Sequence, residues 1–266
     1  MKYFLVTIFL LINALSKAQV QGSFFIVASG SDGIMVATDS RSPVYNNKQS
    51  VKYGYHDFGV KTLTIGNVAM VILGNDVFSG QYVNSLFEEY KTTAVMLPKV
   101  SEVLPQFFNF CSKRLTAKDF VLLSKNRYLA CGYEKGIPTM CMQDGSISKR
   151  ECVSEGWIRV ASDVSEFETK YAYTLPCNQL GRLAEISINK YAADNGMQNE
   201  IGGLIRILRI TMNGLQWIQN KPQAQLLTLE NSYKDFLSGK IPVSFIPKAN
   251  KEKFDLMVRK DYPHLF

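Results

Sequence analysis

Short apolar runs separated by polar turns occupy the first quarter of the chain, and this pattern predicts paired β-strands. The predicted strands of this block are residues 23–28, 34–39, 61–65 and 69–73. The first two are joined by a turn containing Asp32-Gly33, a dipeptide typical of hairpins. Residues 41–59 are polar, include Pro, Asn and Gly, and are predicted to form a loop.

Further along the chain, the spacing of apolar residues changes to the period of amphipathic helices. Apolar positions three or four residues apart predict helices over residues 77–90, 100–111 and 178–193. The remaining predicted strands are residues 120–123, 128–133, 139–143, 157–161, 202–211 and 215–218. Because hairpins form blocks between the helices, this order predicts an α+β fold and not a series of βαβ units.

The N-terminal residues have the pattern of a secretory signal peptide. A basic start and the apolar run 3–15 precede the small residues Ser16 and Ala18. Cleavage fits after Ala18, which would leave a short propeptide, or after Gly22; a buried N-terminal strand or helix is the alternative to a signal peptide. The signal-peptide interpretation places the protein outside the cell or in a periplasm, with no membrane span left in the mature chain.

The last 46 residues differ in character from those before them. Residues 221–266 are polar, contain four prolines and have a helical pattern only around 227–236. We expect an extension that packs on the preceding domain. The predicted organisation is therefore a leader at residues 1–22, a domain at 23–220 and an extension at 221–266.

Composition narrows the possible classes of protein. A hydrophobic fraction of 46% with 20% charged residues excludes a disordered chain. The formal net charge of +7, or +5 without residues 1–22, comes from scattered Lys and Arg residues with no run of five. A nucleic-acid-binding protein usually concentrates such charge in one stripe, so no nucleic-acid partner is expected.

The five cysteines suggest disulfide chemistry and give no sign of a metal site. No CxxC motif occurs and only two histidines are present, so neither a metal centre nor a cofactor is expected. An odd number leaves at least one thiol unpaired within the chain. Cys131 and Cys141 are on the two sides of a predicted hairpin that turns at residues 134–136, and we expect them to form a disulfide.

Residues 32–41, which read DGIMVATDSR, carry a resemblance to a known family. They resemble the hallmark strand of proteasome β-type subunits, which belong to the N-terminal-nucleophile (Ntn) hydrolases. In that family, the mature chain begins at a nucleophile that follows a Gly and lies sixteen residues before the Asp. Counting back sixteen from Asp39 reaches Ser23, which follows Gly22. The resemblance implies a four-layer αββα sandwich with Ser23 as its nucleophile.

Further motifs in the same order extend the resemblance over residues 22–219. Lys61 begins a segment (KTLTI) that is similar to the family strand carrying an active-site lysine. Gly74 ends a segment (AMVILG) that is similar to the strand ending at the oxyanion glycine, and Ser162 matches a supporting serine. The pair Gly202-Gly203 and the hairpin 207–218 resemble the family's final strands.

The chain departs from the family pattern at two places. Its nucleophile position holds Ser, where the family usually has Thr. The family's supporting Asp and Ser, expected just before the Gly-Gly pair, are replaced by residues 198–201, which read QNEI. These departures bear on catalytic efficiency.

Chemistry gives each implied site residue a role. A hydroxyl becomes a nucleophile only when a base removes its proton, and an α-amino group with a pKa of about 7.7–8.0 is such a base. Ser23 has that group only after residues 1–22 are removed. Lys61 would stabilise the alkoxide and Asp39 would hold Lys61, while the Gly74 N–H would face the developing oxyanion and Ser162 would support the site.

The sequence therefore predicts an extracytoplasmic Ntn-type hydrolase that cleaves an amide or peptide bond. Two alternatives stay open. One is a catalytically inactive proteasome-like subunit that acts as a scaffold or binding module, and the other is an acylase or amidase for small molecules. The expected partner is a peptide or small amide, and the family's ring assembly implies a homo-oligomer.

Overall fold

The computed structural model describes residues 24–46, 48, 50–94, 97–143, 150–153 (backbone only), 174–222 and 228–266. The predicted leader 1–22 and the predicted strand 157–161 lie outside these residues. Six α-helices occur in the described part: α1 (Val83–Thr93), α2 (Val100–Arg114), α3 (Ala117–Leu123), α4 (Cys177–Asp194), α5 (Leu229–Leu237) and α6 (Asn250–Asp261). The strands are β1 (Phe25–Gly30), β2 (Gly33–Thr38), β3 (Ser42–Tyr45), β4 (Lys52–His56), β5 (Thr62–Ile65), β6 (Val68–Leu73), β7 (Val77–Phe78), β8 (Gln81–Tyr82), β9 (Arg127–Glu134), β10 (Ile137–Gln143), β11 (Arg150–Val153), β12 (Arg206–Thr211), β13 (Gly214–Gln219) and β14 (Ser244–Phe245).

Two antiparallel sheets form the centre of this mixed α+β structure. One has the strand order β1-β2-β12-β13, and the other has the order β11-β10-β9-β6-β5. Strand β2 pairs with β1 through a tight hairpin and with β12 from far along the chain. The region that follows β2 is therefore held from both sides.

Alternate residues of the strands face different apolar clusters, as the period of two requires. Phe25 and Val27 of β1 pack in a cluster with Val71 and Leu129 of the five-stranded sheet, so the two sheets face one another. Ile26, on the opposite side of β1, packs in the cluster that contains α4. A third cluster joins the five-stranded sheet to α1 and α2.

Four predictions of secondary structure were wrong, and one of them concerns the C-terminal segment, where α6 (Asn250–Asp261) lies outside residues 227–236, the only part with a predicted helical pattern. The predicted loop 41–59 contains β3 and β4, which form a sheet with β14. The beginning of the predicted helix 77–90 is the β7–β8 hairpin, which turns through positive φ at Ser79 and Gly80 (49° and 74°). The predicted strand 120–123 belongs to α3, whose N-terminus is capped by the Thr116 side chain.

Other elements match the sequence pattern closely. The predicted helix over 178–193 is α4, and the predicted helix over 100–111 is the first part of α2. Residues 128–133 and 139–143 fall within the β9–β10 hairpin, and 215–218 within β13. Long amphipathic helices and tight hairpins are determined locally, which explains their agreement.

The predicted disulfide between Cys131 and Cys141 is wrong. Cys131 is a free thiol, whereas Cys141 is disulfide-bonded. In the β9–β10 register, Cys131 is opposite Met140 and Cys141 is opposite Ala130. The two cysteines are therefore one residue out of register and lie on opposite faces, Cys131 in the cluster between the sheets and Cys141 on the helix side.

Residues 228–266 form α5, β14, α6 and a short 3₁₀ turn (Pro263–Leu265). Their apolar side chains, among them Tyr233 and Phe254, share a cluster with Tyr53 and Tyr82 from the preceding part of the chain. The Tyr233 hydroxyl donates to the carbonyl of Tyr45 at 2.9 Å. This C-terminal segment thus packs beside β3, β4 and β8.

Candidate active site

A buried ion pair joins the ends of two strands from different sheets. Asp39 directly follows β2 and Lys61 directly precedes β5. Lys61 Nζ lies 2.7 Å from Asp39 Oδ1, and the two side chains are 8% and 0% exposed. The neighbouring hydroxyls of Thr38 and Thr62 are hydrogen-bonded at 3.1 Å. Two of the five predicted site residues are therefore in direct contact.

Asp39 also accepts hydrogen bonds from two distant backbone groups. The Phe24 N–H donates to its Oδ1 at 2.7 Å, and the Gly202 N–H donates to its Oδ2 at 3.3 Å. Hydrogen bonds to a carboxylate favour its charged form. The carboxylate of Asp39 therefore fixes three segments of the chain at one point.

Burial acts on both members of the pair. It raises the pKa of Asp39, and Lys61 and the two backbone donors oppose this effect. It lowers the pKa of Lys61, which the charge and hydrogen bond of Asp39 oppose. Each ion depends on its partner, because removing one member of a buried pair typically costs about 3–5 kcal/mol.

The residues after Asp39 are held by a second set of polar contacts. Arg41 donates from Nε and Nη2 to the two carboxylate oxygens of Asp57 at 2.7 and 3.0 Å, and its guanidinium lies 4.0 Å from the centre of the Tyr55 ring. The backbone N–H groups of Ser40 and Arg41 both donate to the Gly202 carbonyl at 3.1 Å. These contacts position the turn on which Asp39 stands.

The pair Gly202-Gly203 allows this close approach. Their φ angles are 141° and 73°, values that favour glycine. A Cβ at Gly203 would lie 2.7 Å from Ser40 Oγ, and one at Gly202 would lie 3.2 Å from Arg41 Nη1. The absence of a Cβ at both positions therefore lets the backbone lie against Ser40 and Arg41, which the sequence context alone did not indicate.

Gly74, the predicted oxyanion residue, lies just after β6 and is exposed. Its φ of 127° is in a region that favours glycine, and a Cβ there would lie 2.2 Å from Asn126 Oδ1. The Asn126 side chain accepts from the Asn75 N–H at 2.9 Å and donates to the Asn75 carbonyl at 2.6 Å. Asn126 thus fixes the backbone conformation after Gly74, a role that no motif in the sequence indicates.

Lys61 and Gly74 line the same cleft. The cleft measures about 820 Å³ including its mouth, and its wall includes Tyr45, His56, Asp76, Tyr82 and Glu200. A smaller cavity, about 320 Å³ with its open mouth included, adjoins it and shares the wall residues Pro43, Tyr45, Asp76 and Tyr82. The structure thus places a hydrophobic and polar cavity directly beside the predicted charge pair.

Three ionisable residues near the pair were not identified from the sequence. Asp76 lines the cleft, and burial raises its pKa to about 6. His56 lies in the region 41–59 that was predicted to be a polar loop, but its side chain is buried with its ring centre 5.2 Å from that of Phe236, and burial lowers its pKa to about 4. Burial lowers the pKa of Arg206 to about 10.

Arg206 is unusual because it is a charged residue inside the central sheet. Its Nη1 donates to the Gly59 carbonyl at 2.7 Å, and its Nε is buried and has no hydrogen-bond partner within the described residues. The charge of Asp39 opposes the burial effect on its pKa. An arginine among apolar strand residues was the sequence signal that could have identified it.

Two of the five predicted site residues, Ser23 and Ser162, lie outside the described residues. Among the residues that the structure does describe, no group of three or more His, Cys, Asp or Glu side chains is arranged to hold a metal ion. The described helices include none that is both long and apolar enough to cross a bilayer.

No protein-family model matches this chain, and the search of curated proteins finds no similar sequence.

Proposed function

We propose that this protein is an Ntn-type hydrolase with the αββα sandwich of that superfamily, and that it cleaves an amide or peptide bond with Ser23 after removal of residues 1–22. The order of clusters supports the fold, because one joins the two sheets and two others join each sheet to helices. The resemblance over residues 22–219 supports the chemistry.

One observation carries the proposal. Asp39 Oδ1 accepts both from Lys61 Nζ and from the Phe24 N–H, each at 2.7 Å. The Phe24 nitrogen is the atom bonded to residue 23, and adjacent Cα atoms are about 3.8 Å apart. This hydrogen bond supports a nucleophile at position 23, because the peptide bond joins that residue to a nitrogen that contacts the buried ion pair.

The roles of the groups follow from their charges. In the mature chain, the neutral α-amine of Ser23 takes the hydroxyl proton, and the oxygen attacks the substrate carbonyl carbon. Lys61 stabilises the developing alkoxide while Asp39 keeps the ammonium in place. The carbonyl π electrons move to the carbonyl oxygen, and when they return the C–N bond breaks and the substrate's amine leaves with the proton given back by the α-ammonium group. Water then hydrolyses the ester on Ser23. Before processing, the nitrogen is an amide and is not a base.

The first prediction concerns covalent labelling by a β-lactone. We expect Ser23→Ala to abolish labelling of the mature protein and Lys61→Ala to lower its rate at least 100-fold, because the alkoxide loses its charge partner. Lys61→Arg also fails, since a planar guanidinium does not replace a compact ammonium. Asp39→Asn lowers the rate less but also lowers the melting temperature. If Ser23, Asp39 and Lys61 act as one unit, the losses in labelling rate caused by their separate substitutions should not add.

Labelling rate is measured together with melting temperature and N-terminal sequence for each variant. A mature wild-type chain that begins at Gln19 contradicts the use of the Ser23 amine as base. Lys61→Ala that labels at the wild-type rate with an unchanged melting temperature contradicts the catalytic role of Lys61.

A second candidate function is a non-catalytic binding module of the same fold. Ile201, at the position of the family's supporting Ser, is 1% exposed and packs in the apolar cluster with α4, so it provides no hydroxyl. A mature wild-type chain that begins at Ser23 but forms no lactone adduct favours this second candidate.

A further inference from the structure

Besides His56, whose lowered pKa keeps it neutral, the cleft beside Lys61 contains three groups that carry charge, and they differ in whether a salt bridge neutralises that charge. Lys61 is paired with Asp39, and Glu200 at the rim is paired with Lys52. Asp76 has no salt bridge to any residue in the part of the chain that the structure describes. The charge of Lys61 acts on Asp76 from the same cleft, but an ionised Asp76 still leaves the wall with one carboxylate that no salt bridge among the described residues neutralises.

Asp76 is also placed where a ligand would reach it. It lies two residues after Gly74, and it lines both the main cleft and the smaller adjoining cavity. Because its pKa is raised to about 6, the carboxylate is mainly ionised at pH 7.5. The negative charges of Glu200 and Asp76 add to burial in raising the pKa of Tyr45, which shows that both acids act on the same wall.

The surrounding wall suits a long side chain with a charged end. Aromatic residues Tyr45, Phe58 and Tyr82 line the main cleft, and Tyr233 and Phe236 of the C-terminal segment close the smaller cavity. Lys and Arg side chains bury their methylene stems along such surfaces while their charged heads find an acid. An acidic side chain would instead meet Asp76 at close range.

We propose that Asp76 is a specificity-determining residue that selects substrates with a lysine-like or arginine-like side chain on the acyl side of the cleaved bond. The stem of that side chain lies against the aromatic wall, and its cationic head pairs with the Asp76 carboxylate. This inference rests on the proposed hydrolase function, because it assigns the side-chain preference of the same cleft.

The test compares matched peptides that differ only in charge at one end. Fluorogenic peptide amides with lysine or norleucine before the cleaved bond have nearly the same stem, and only lysine is cationic. With the processed full chain at pH 7.5, we expect kcat/KM for lysine to exceed that for norleucine by at least ~10-fold, the ratio that corresponds to about 1.4 kcal/mol. In Asp76→Asn this ratio should fall to within about threefold, mainly through the lysine substrate.

Binding provides a second measurement that does not need catalysis. Calorimetry with peptide acids that end in lysine or norleucine should show the same discrimination in the wild type and its loss in Asp76→Asn. Glu200→Gln is the matched control, since it removes the rim acid that Lys52 already neutralises, and it should keep the discrimination. An unchanged melting temperature shows that the variants are folded.

The outcomes separate the two proposals. Equal binding of lysine and norleucine peptides by the wild type overturns the role of Asp76, as does an equal loss of discrimination in Glu200→Gln. Discrimination in binding without hydrolysis of any amide supports the role of Asp76 and overturns the hydrolase function. Hydrolysis without discrimination keeps the hydrolase function and overturns the specificity.

Discussion

At the scale of single residues, His56 shows how burial beside a charged site lowers the pKa of an imidazole. The side chain is 2% exposed, its Nδ1 accepts from the Phe58 N–H at 3.2 Å, and both Lys61 and Arg206 oppose its protonation. Asp57 acts in the opposite direction but does not outweigh burial. His56 is therefore neutral in the folded protein and protonates readily only in the unfolded chain.

We expect His56 to make the protein less stable in acid. Its pKa falls from 6.5 to about 4 on folding. Between pH 6.5 and about 4, the unfolded chain binds more protons than the folded protein. The free energy of unfolding is therefore undiminished by His56 above pH 6.5 and falls as the pH decreases towards 4. The difference corresponds to about 3 kcal/mol. His56→Asn keeps an acceptor for the Phe58 N–H but does not titrate.

Urea unfolding at several pH values checks this prediction. The wild-type free energy of unfolding should fall more steeply than that of His56→Asn between pH 6.5 and 4. Parallel curves for the two proteins would show that His56 does not set the acid limit.

Single residues also show what can be predicted from the sequence and what cannot. Asp39 and Lys61 were expected to pair because the resemblance of the DSR and KTLTI segments to the family's strands implies it, and the structure brings their charged atoms to 2.7 Å. Asp76 and Arg206 carry no local motif. Their importance comes from burial and from tertiary neighbours, such as Lys61 for Asp76 and Gly59 for Arg206, which single-sequence periodicity does not encode.

At the scale of elements, strand register is the reason why the predicted disulfide between Cys131 and Cys141 was wrong. The hairpin β9–β10 was predicted correctly, but its register is one residue away from the one that would place Cys131 opposite Cys141. In the β10–β11 pairing, Cys141 is directly opposite Cys152. A one-residue difference moves a side chain to the other face of a sheet.

We therefore expect Cys141 to be linked to Cys152, because this backbone register brings the two positions together. Non-reducing peptide mapping after alkylation in denaturant should find Cys111, Cys131 and Cys177 alkylated. Cys152→Ala should release one new thiol, whereas Cys131→Ala should leave the disulfide unchanged. A mapped peptide that links Cys131 to Cys141 would reverse this conclusion.

Elements with distant partners were the ones that sequence patterns misassigned. Strand β4 pairs with β14, which comes from the last 25 residues of the chain, and without that partner residues 41–59 read as a polar loop. The β7–β8 turn has positive φ at Ser79, a residue type that is not a typical signal for it. The apolar face of helix α4 is evident from the spacing of its own residues, so this helix was predicted correctly.

At the scale of the whole molecule, the C-terminal segment shares an apolar cluster with the wall of the cleft. Phe254 of α6 is 1% exposed and contacts Tyr53 and Tyr233 with ring centres 5.6 and 5.4 Å apart. Tyr233 in turn lines the smaller cavity beside Asp76. The segment therefore supports the site as well as covering apolar surface.

We expect Phe254→Ala to lower the free energy of unfolding by about 3–5 kcal/mol, because it leaves a cavity in this cluster. Leu256→Ala is the matched control on the same helix, since Leu256 is 67% exposed and should change stability by less than about 0.5 kcal/mol. Denaturant midpoints of both variants provide the measurement. Similar midpoints would mean that α6 contributes little to the fold.

The Asp39 carboxylate, which accepts from the Phe24 and Gly202 N–H groups, also implies an order of events during folding. Those two donors are 178 positions apart, and the bond from Gly202 to Asp39 alone closes a separation of 163 residues. Loop closure over such distances comes late in folding. A nascent chain consequently has no assembled charge site, and under the proposed mechanism its nucleophile becomes competent only after the central sheet has formed. Under that mechanism, folding of the central sheets would have to precede activation.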